Sequence, residues 1–262
     1  MMTTPALVID RTRLEANIAR MAEAMDAAGV ALRPHFKTSK LIEVATLQAA
    51  AGAVGFTCST PEEVDALLSA GFTDLFWANS PVGAKADLAA SFNQRGRVAV
   101  GLDSIELARP LGAAALARNV VLPVLIEVDT GLGRTGVVAS DALALAREVV
   151  AIEGLALEGL YMHEGQLAGL SGTREELRAA GRAAAVALVG VAEEIRAAGI
   201  PISVVSVGST PGWDSAPLVD GVTEARPGTY VFSDANQLRL ESTSLDQCAL
   251  TVVSSVISTQ RE

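Results

Sequence analysis

From about Asp10 to Gly228 the chain alternates helical and strand-like stretches with a regularity that leaves few folds open. Alternation of this kind implies a parallel sheet covered by helices. Strand-like runs fall near 30–34, 54–57, 74–78, 97–101, 122–128, 157–162, 203–207 and 222–226. Helical periodicity fills 84–92, 104–117, 140–151 and 173–198, the last ending at Gly199-Ile200-Pro201. Eight β/α units in ~200 residues is the count of a TIM (β/α)8 barrel. A doubly wound open sheet is the rival, because counting strands does not prove that they close.

Local signals support the same reading. A first helix over Arg11 to Ala28 carries Leu14, Ile18, Met21 and Met25 on one face and stops at Gly29, a residue able to take the left-handed cap. In Ser59-Thr60-Pro61-Glu62-Glu63, Thr60 is the expected N-cap, Pro61 the first helical residue and Glu63 the closing member of a capping box, with Gly71 ending that helix. After Asp234 the pattern changes, and residues 247–258 (QCALTVVSSVIS) read as a β-branched strand with no partner downstream. The expected division is a barrel domain over 1–240 and the start of a truncated β domain over 241–262. An unpartnered strand of that kind predicts poor solubility or self-association.

Composition removes several functions. The 20 Lys+Arg against 30 Asp+Glu leave a net charge of −10, which opposes binding to a phosphate backbone, so no nucleic-acid partner is expected. Half the residues are apolar and 19 % are charged, which suits a large core and not a disordered chain. No apolar run reaches the ~18 residues of a membrane span, and MMTTPALVID lacks the pattern of a secretory leader. Cys58 and Cys248 have no CxxC spacing and no arithmetic for a disulfide framework. The expectation is a soluble protein of the cytoplasm.

In a barrel, chemistry sits at the C-terminal ends of the strands. The unusual polar residues follow the strands: Arg33-Pro34-His35-Phe36-Lys37-Thr38, Asn79-Ser80-Pro81, Asp129 to Arg134, Tyr161-Met162-His163-Glu164-Gly165, Gly208-Ser209-Thr210-Pro211 and Arg226-Pro227-Gly228-Thr229-Tyr230. Both histidines, His35 and His163, lie on this face. Gly208-Ser209-Thr210 and Gly228-Thr229 combine close backbone approach with hydroxyls and free N–H groups, as an anion site requires, although a plain turn has the same composition. Lys37, beside Arg33 and His35, is either a solvated loop lysine or an amine kept neutral by positive neighbours and partial desolvation, ready to form a Schiff base. Lys40, nearer the next helix, is the weaker candidate. Arg134 either presents a fork of donors to a phenolate or carboxylate or pairs with Asp129. His163 is a candidate base, Tyr161 a candidate partner for a ring nitrogen, and Cys58 a small buried hydrophobe. No HxxxH or HxH pair points to zinc.

Five of these motifs, through Arg226-Pro227-Gly228-Thr229-Tyr230-Val231-Phe232, stand in the order seen in the D-threonine aldolase and D-serine dehydratase family, which this chain resembles over nearly its whole length. Those are pyridoxal 5'-phosphate enzymes of the alanine-racemase fold type, fold type III. The resemblance implies a cofactor-carrying barrel followed by a β domain. It implies that Lys37 forms the Schiff base, that Arg134 faces the cofactor's phenolic oxygen and that Tyr161 lies near its ring nitrogen. It further implies a phosphate held by Ser209, Thr210, Gly228 and Thr229; Gly208 and Tyr230 complete the expected cofactor-binding set, and His163 and His35 are expected as catalytic groups beside Lys37.

Two departures qualify the likeness. Ser39 stands where the family usually has histidine. The family's β-domain metal pair, a histidine followed two residues later by cysteine or aspartate, has no counterpart, so a divalent metal is expected only in a longer member. The implied activity is a lyase acting on D-3-hydroxy amino acids, by retro-aldol cleavage to glycine and an aldehyde or by dehydration, in a homodimer if complete. The alternatives are a non-catalytic barrel-only carrier resembling the pyridoxal-phosphate homeostasis proteins, whose His-Phe-Ile-Gly stretch is absent, and an amino-acid racemase.

Overall fold

Asp10 starts the first helix. Its carboxylate accepts the Arg13 N–H at 3.1 Å, and α1 (Arg11–Ala27) buries Leu14, Ile18, Met21 and Met25 along one stripe before the chain turns at Gly29, whose φ is +67°. Ahead of it lies a strand that periodicity missed, β1 (Ala6–Ile9). The computed structural model describes residues 3–260, so the outermost two residues of each expected domain lie outside the described residues.

All eight expected strand runs are present. They are β2 (Ala31–Leu32), β3 (Phe56–Cys58), β4 (Asp74–Trp77), β5 (Arg97–Leu102), β6 (Leu122–Asp129), then a two-residue β7 (Val137–Val138) paired to β6 within a loop, β8 (Leu155–Tyr161), β9 (Val204–Val207) and β10 (Glu224–Ala225). The eight pair in parallel in the order β2-β10-β9-β8-β6-β5-β4-β3. The ends of that order meet: His35 and Thr57 form a parallel bridge, Val54 donates to the Leu32 carbonyl at 2.9 Å and Thr57 to the Pro34 carbonyl at 2.9 Å. The sheet closes into a barrel, and the open-sheet rival is excluded.

The helices fulfil the expectation less fully. α2 (Ile42–Ala50), α3 (Pro61–Ser69), α4 (Lys85–Phe92), α5 (Ile105–Ala117), α6 (Ala142–Val150) and α7 (Arg174–Ala197) wrap the sheet. Between β9 and β10 there is only a 3-10 turn, Ala216–Leu218, and α8 (Ala235–Arg239) has a single turn and a half. Eight strands are therefore served by fewer than eight full crossover helices. At α3, Thr60 accepts the Glu63 N–H at 3.4 Å as expected. The Glu63 carboxylate, however, does not close the box on Thr60. It accepts the Ser59 N–H at 2.7 Å, one residue earlier, and meets Lys40 Nζ at 3.2 Å.

The strand expected over 247–258 is shorter and has a partner. β11 (Leu250–Val253) pairs antiparallel with β1, Ala6 opposite Val253 and Ile9 opposite Leu250. The partner lies upstream in the chain, where a search downstream of the strand could not find it. Leu7, Val252, Val256 and Ile257 remain exposed around this ribbon. Among the described residues no helix is long and apolar enough to cross a membrane.

Strand alternation sorts the side chains into two populations. Leu75, Trp77, Val98, Val100, Val124 and Ile126 face the helices in the main core, whereas Phe76, Ala99, Leu125 and Tyr161 pack together inside the barrel. Gly101 makes room for that inner layer, because a Cβ there would overlap the Tyr161 hydroxyl. At the N-terminal ends of the strands the interior is ionic. Arg33 binds Glu224 at 2.6 Å and Asp74 at 2.9 Å, and Arg97 joins Asp74 at 2.8 Å and Glu158. Both Arg33 and Glu224 have side chains only 8 % exposed. Removing Glu224 leaves the buried Arg33 guanidinium with the partly exposed Asp74 as its remaining carboxylate partner. Glu224→Ala is expected to lower stability by about 3–5 kcal/mol in urea unfolding. The double change Arg33→Met with Glu224→Leu is expected to recover most of that loss, and a double variant as unstable as the single one would refute the argument.

Candidate active site

The loops that leave the C-terminal ends of the strands converge on one mouth. Just past β2, Phe36–Thr38 makes a single 3-10 turn whose buried Phe36 anchors it, and Lys37 reaches from that turn into a cavity of ≈ 110 Å³. His35, Glu127, Arg134, Tyr161, His163 and Arg226 line the same space. An adjoining cavity of ≈ 250 Å³ shares His35, Lys37, His163 and Arg226 and continues to Ser209, Thr210, Gly228 and Thr229. The residues singled out from sequence are thus brought together, with one exception. The Tyr230 ring is buried away from the mouth, where its hydroxyl accepts from Gln48 Nε2 at 2.9 Å, and only its backbone reaches the loop, donating to Thr210 Oγ1 at 3.2 Å.

The second cavity has the form of an anion cradle. Among the described residues, the backbone N–H groups of Ser209, Thr210, Gly228 and Thr229 have no acceptor within the chain. Gly228 is required by space, since a Cβ there would come within 2.8 Å of Thr38 Oγ1 and 3.0 Å of His35 Cβ. Unpaired amides converging on a recess with the hydroxyls of Ser209, Thr210 and Thr229 suit a phosphate monoester.

Electrostatics at the mouth favours uncharged bases. Burial first, then Arg134 and Arg226, lowers the Lys37 pKa from its ordinary value. The cations responsible are therefore not the sequence neighbour Arg33, whose guanidinium points down into the barrel toward Glu224 and Asp74. Burial, followed by Lys37, Arg226 and His163, holds His35 well below the usual histidine range. Its Nε2 lies 3.5 Å from Ser59 Oγ, while the buried Nδ1 has no partner in the chain. His163 is pushed down to about 4, again by burial and by Lys37, Arg226 and Arg134 against an opposing hydrogen bond. Its Nδ1 stands 2.6 Å from the Gly208 carbonyl, which can only accept, so the proton is assigned to Nδ1 and the Nε2 lone pair is free.

Arg134 is exposed and makes no ion pair with Asp129. The Asp129 carboxylate instead accepts the Gly131 N–H at 2.9 Å and the Gly133 N–H at 3.1 Å, which shapes the loop and lowers its pKa. Tyr161 lies 2.7 Å from the Ala78 carbonyl and 3.1 Å from Glu127 Oε2. The phenol has one proton, and the carbonyl can only receive it. The Glu127 contact then calls for a proton on the carboxyl, and burial raises the Glu127 pKa in that direction. Cys58 is fully buried, its thiol pushed up by desolvation, as a packing residue should be.

Three site residues escaped the sequence reading. Glu127 was visible only as one charge inside the apolar run LPVLIEVD. Arg226 sat in a motif without a role; its guanidinium lies over the Tyr161 ring at 5.3 Å and the Phe76 ring at 5.7 Å and bonds Ser206 Oγ and the Met162 carbonyl. Glu164 follows His163, is completely buried, and accepts the Gly208 N–H and the Ser209 hydroxyl, each at 3.1 Å.

A closed parallel barrel with its polar mouth at the strand C-termini defines a (β/α)8 barrel of alanine-racemase type. Over residues 9–236 the chain matches the alanine racemase N-terminal domain, and it belongs to that family. It is 40 % identical over 263 residues, covering 99 % of this chain and 69 % of the relative, to a D-threo-3-hydroxyaspartate dehydratase of Delftia sp. (strain HT23). It is 33 % identical over 237 residues, 89 % of this chain and 62 % of the relative, to a D-threonine aldolase of Arthrobacter sp.. The crystal structure of a D-threonine aldolase from Filomicrobium marinum superposes with a TM-score of 0.91 at 29 % identity, covering 98 % of this chain and 71 % of that one. The chain thus spans about two thirds of the length of these relatives.

The depressed His163 pKa has a measurable consequence. The unfolded chain takes up this proton near pH 6.5, whereas the folded chain does so only near pH 4. Stability therefore falls as the pH drops through that interval and levels below it. His163→Gln should remove up to about 3 kcal/mol of that loss, read as the difference between wild-type and variant urea midpoints from pH 7 to pH 4. Parallel curves for the two proteins would show that His163 is not the group held neutral.

Proposed function

We propose that this chain is the cofactor-carrying barrel of a pyridoxal-phosphate-dependent lyase acting on D-3-hydroxy amino acids. The observation that carries the proposal is the juxtaposition of Lys37, its pKa lowered, with four unpaired backbone amides on the same barrel face. The relatives, an aldolase and a dehydratase of D-3-hydroxy amino acids by name, support the substrate class. The residues present fit the cofactor. Ser209, Thr210, Gly228 and Thr229 would hold its phosphate, Lys37 would bind it covalently, and Arg134, Tyr161 and His35 would line its ring.

When bound, pyridoxal phosphate supplies an electron sink for negative charge developing at the substrate Cα. The chain supplies the rest. Lys37 presents a free amine, the form that attacks carbonyl carbon, at a lower pH than an ordinary lysine does. His163, neutral with its Nε2 lone pair free, is the group suited to take a proton from the substrate hydroxyl or from Cα. Arg134 and Arg226 present guanidinium donors to anionic groups at the mouth. Among the described residues no group of three or more His, Cys, Asp and Glu is arranged to hold a metal ion.

Lys37, Lys40 and Lys85 are the lysines of the chain, which makes covalent trapping unusually clean. Pyridoxal phosphate added to the purified protein should produce an aldimine absorbance band that borohydride fixes on the Lys37 peptide, and Lys37→Ala should abolish it. An adduct spread over Lys40 and Lys85, or none, would overturn the assignment. D-threonine cleaved to glycine and acetaldehyde identifies the aldolase branch, and D-threo-3-hydroxyaspartate converted to a 2-oxo acid and ammonia the dehydratase branch. In either case His163→Gln should lower turnover by about 10²–10⁴-fold.

A further inference from the structure

Glu164 is the one completely buried carboxylate at the mouth that the mechanism above does not use. Its Oε2 accepts the Gly208 N–H at 3.1 Å and its Oε1 accepts the Ser209 hydroxyl at 3.1 Å, while Ser209 Oγ in turn accepts the Gly212 N–H at 3.1 Å. Space behind the loop is tight, since a Cβ on Gly212 would come within 2.7 Å of Glu164 Oε1. The only proton of Ser209 is therefore directed inward to Glu164, away from the cavity where its backbone N–H stands unpaired. An arriving phosphate needs that hydroxyl as a donor and brings negative charge close to a buried carboxylate.

Protonation of Glu164 resolves both conflicts. A neutral carboxyl donates through Oε1 to Ser209 Oγ and still accepts Gly208 N–H through Oε2. Ser209 Oγ then accepts from Glu164 and from Gly212, using both lone pairs, and turns its own proton to the anion. The charged groups around Glu164 permit this. Arg226, His163 and Lys37 stand on the cavity side with Asp234 at its rim, and Arg174 and Asp214 on the far side of the loop are paired with each other. Burial outweighs these neighbours and raises the Glu164 pKa.

We propose that binding of a phosphate monoester at the 208–210 and 228–229 loops is coupled to uptake of one solvent proton by Glu164, with reversal of the Glu164–Ser209 hydrogen bond. This rests on the reading of those loops as the cofactor's phosphate site. The test is calorimetric titration of the whole chain with pyridoxine 5'-phosphate, which carries the phosphate but no aldehyde, at pH 8 in two buffers of different ionisation enthalpy. Wild type should take up about one proton more than Glu164→Gln, whose amide reproduces the protonated carboxyl. Its affinity relative to that variant should fall about tenfold per pH unit between pH 8 and 9.

Ser209→Ala, which lacks the relay, should lose most of the extra uptake, and it carries the comparison if Glu164→Gln does not fold. Equal proton counts in wild type and Glu164→Gln overturn the proposal. Full uptake retained in Ser209→Ala overturns it too, since charge repulsion alone would then account for the linkage. Absence of binding in wild type overturns the phosphate-site reading itself, and this inference with it.

Discussion

A guanidinium inside the barrel holds its seam. Arg33, at the end of β2, reaches Glu224 on β10 on one side and Asp74 on β4 on the other, so one side chain links strands on both sides of the junction at which the sheet closes. The backbone contribution there is slight, a bridge at His35 and Thr57 and a few hydrogen bonds around two-residue strands. The Arg33–Glu224 contact gains strength from the burial of both side chains, and their charges are tolerable because they are paired. Closure and ion pairing thus depend on one another.

From that base the polar interior continues upward. Glu224 also receives the Ser206 hydroxyl at 2.6 Å, Ser206 meets Arg226, and Arg226 rests on the rings of Phe76 and Tyr161 at the mouth. The cation that helps lower the pKa values of Lys37, His35 and His163 is therefore held by contacts traceable to the closing network. Burial first, and the neighbouring cations second, disfavour the charged forms of Lys37, His35 and His163. The lysine and the histidines carry the shift. Their lowered pKa values follow from burial reinforced by the packed cations.

Much of this was legible in the chain itself. Eight apolar runs spaced by amphipathic stretches marked the strands, Gly29 marked the end of the first helix, and the polar motifs after the strands marked the face on which they converge. What escaped had physical reasons. β1 was missed, and the pairing of the expected C-terminal strand with it joins segments separated by most of the chain, beyond the reach of local periodicity. Glu63 bonds the Ser59 N–H and not that of Thr60, and its other oxygen lies 3.2 Å from Lys40 Nζ, a contact between segments that local patterns do not register. Tyr230 belonged to a site motif, yet its side chain turned into the core toward Gln48.

By its pattern alone the sequence determined the number of parallel strands and the end of the barrel at which the polar motifs, with Lys37 and the glycine-rich loops, are displayed. Those are consequences of local periodicity and of the short reach of turn residues. Only the tertiary structure decided which charges meet. It turned Arg33 down into the barrel and brought Arg226 beside Lys37, paired Glu127 with Tyr161, and set Glu164 behind Ser209. Pairings between strands far apart in sequence depend on closure and burial, and the energies that shift a proton arise only after water has been excluded from between them.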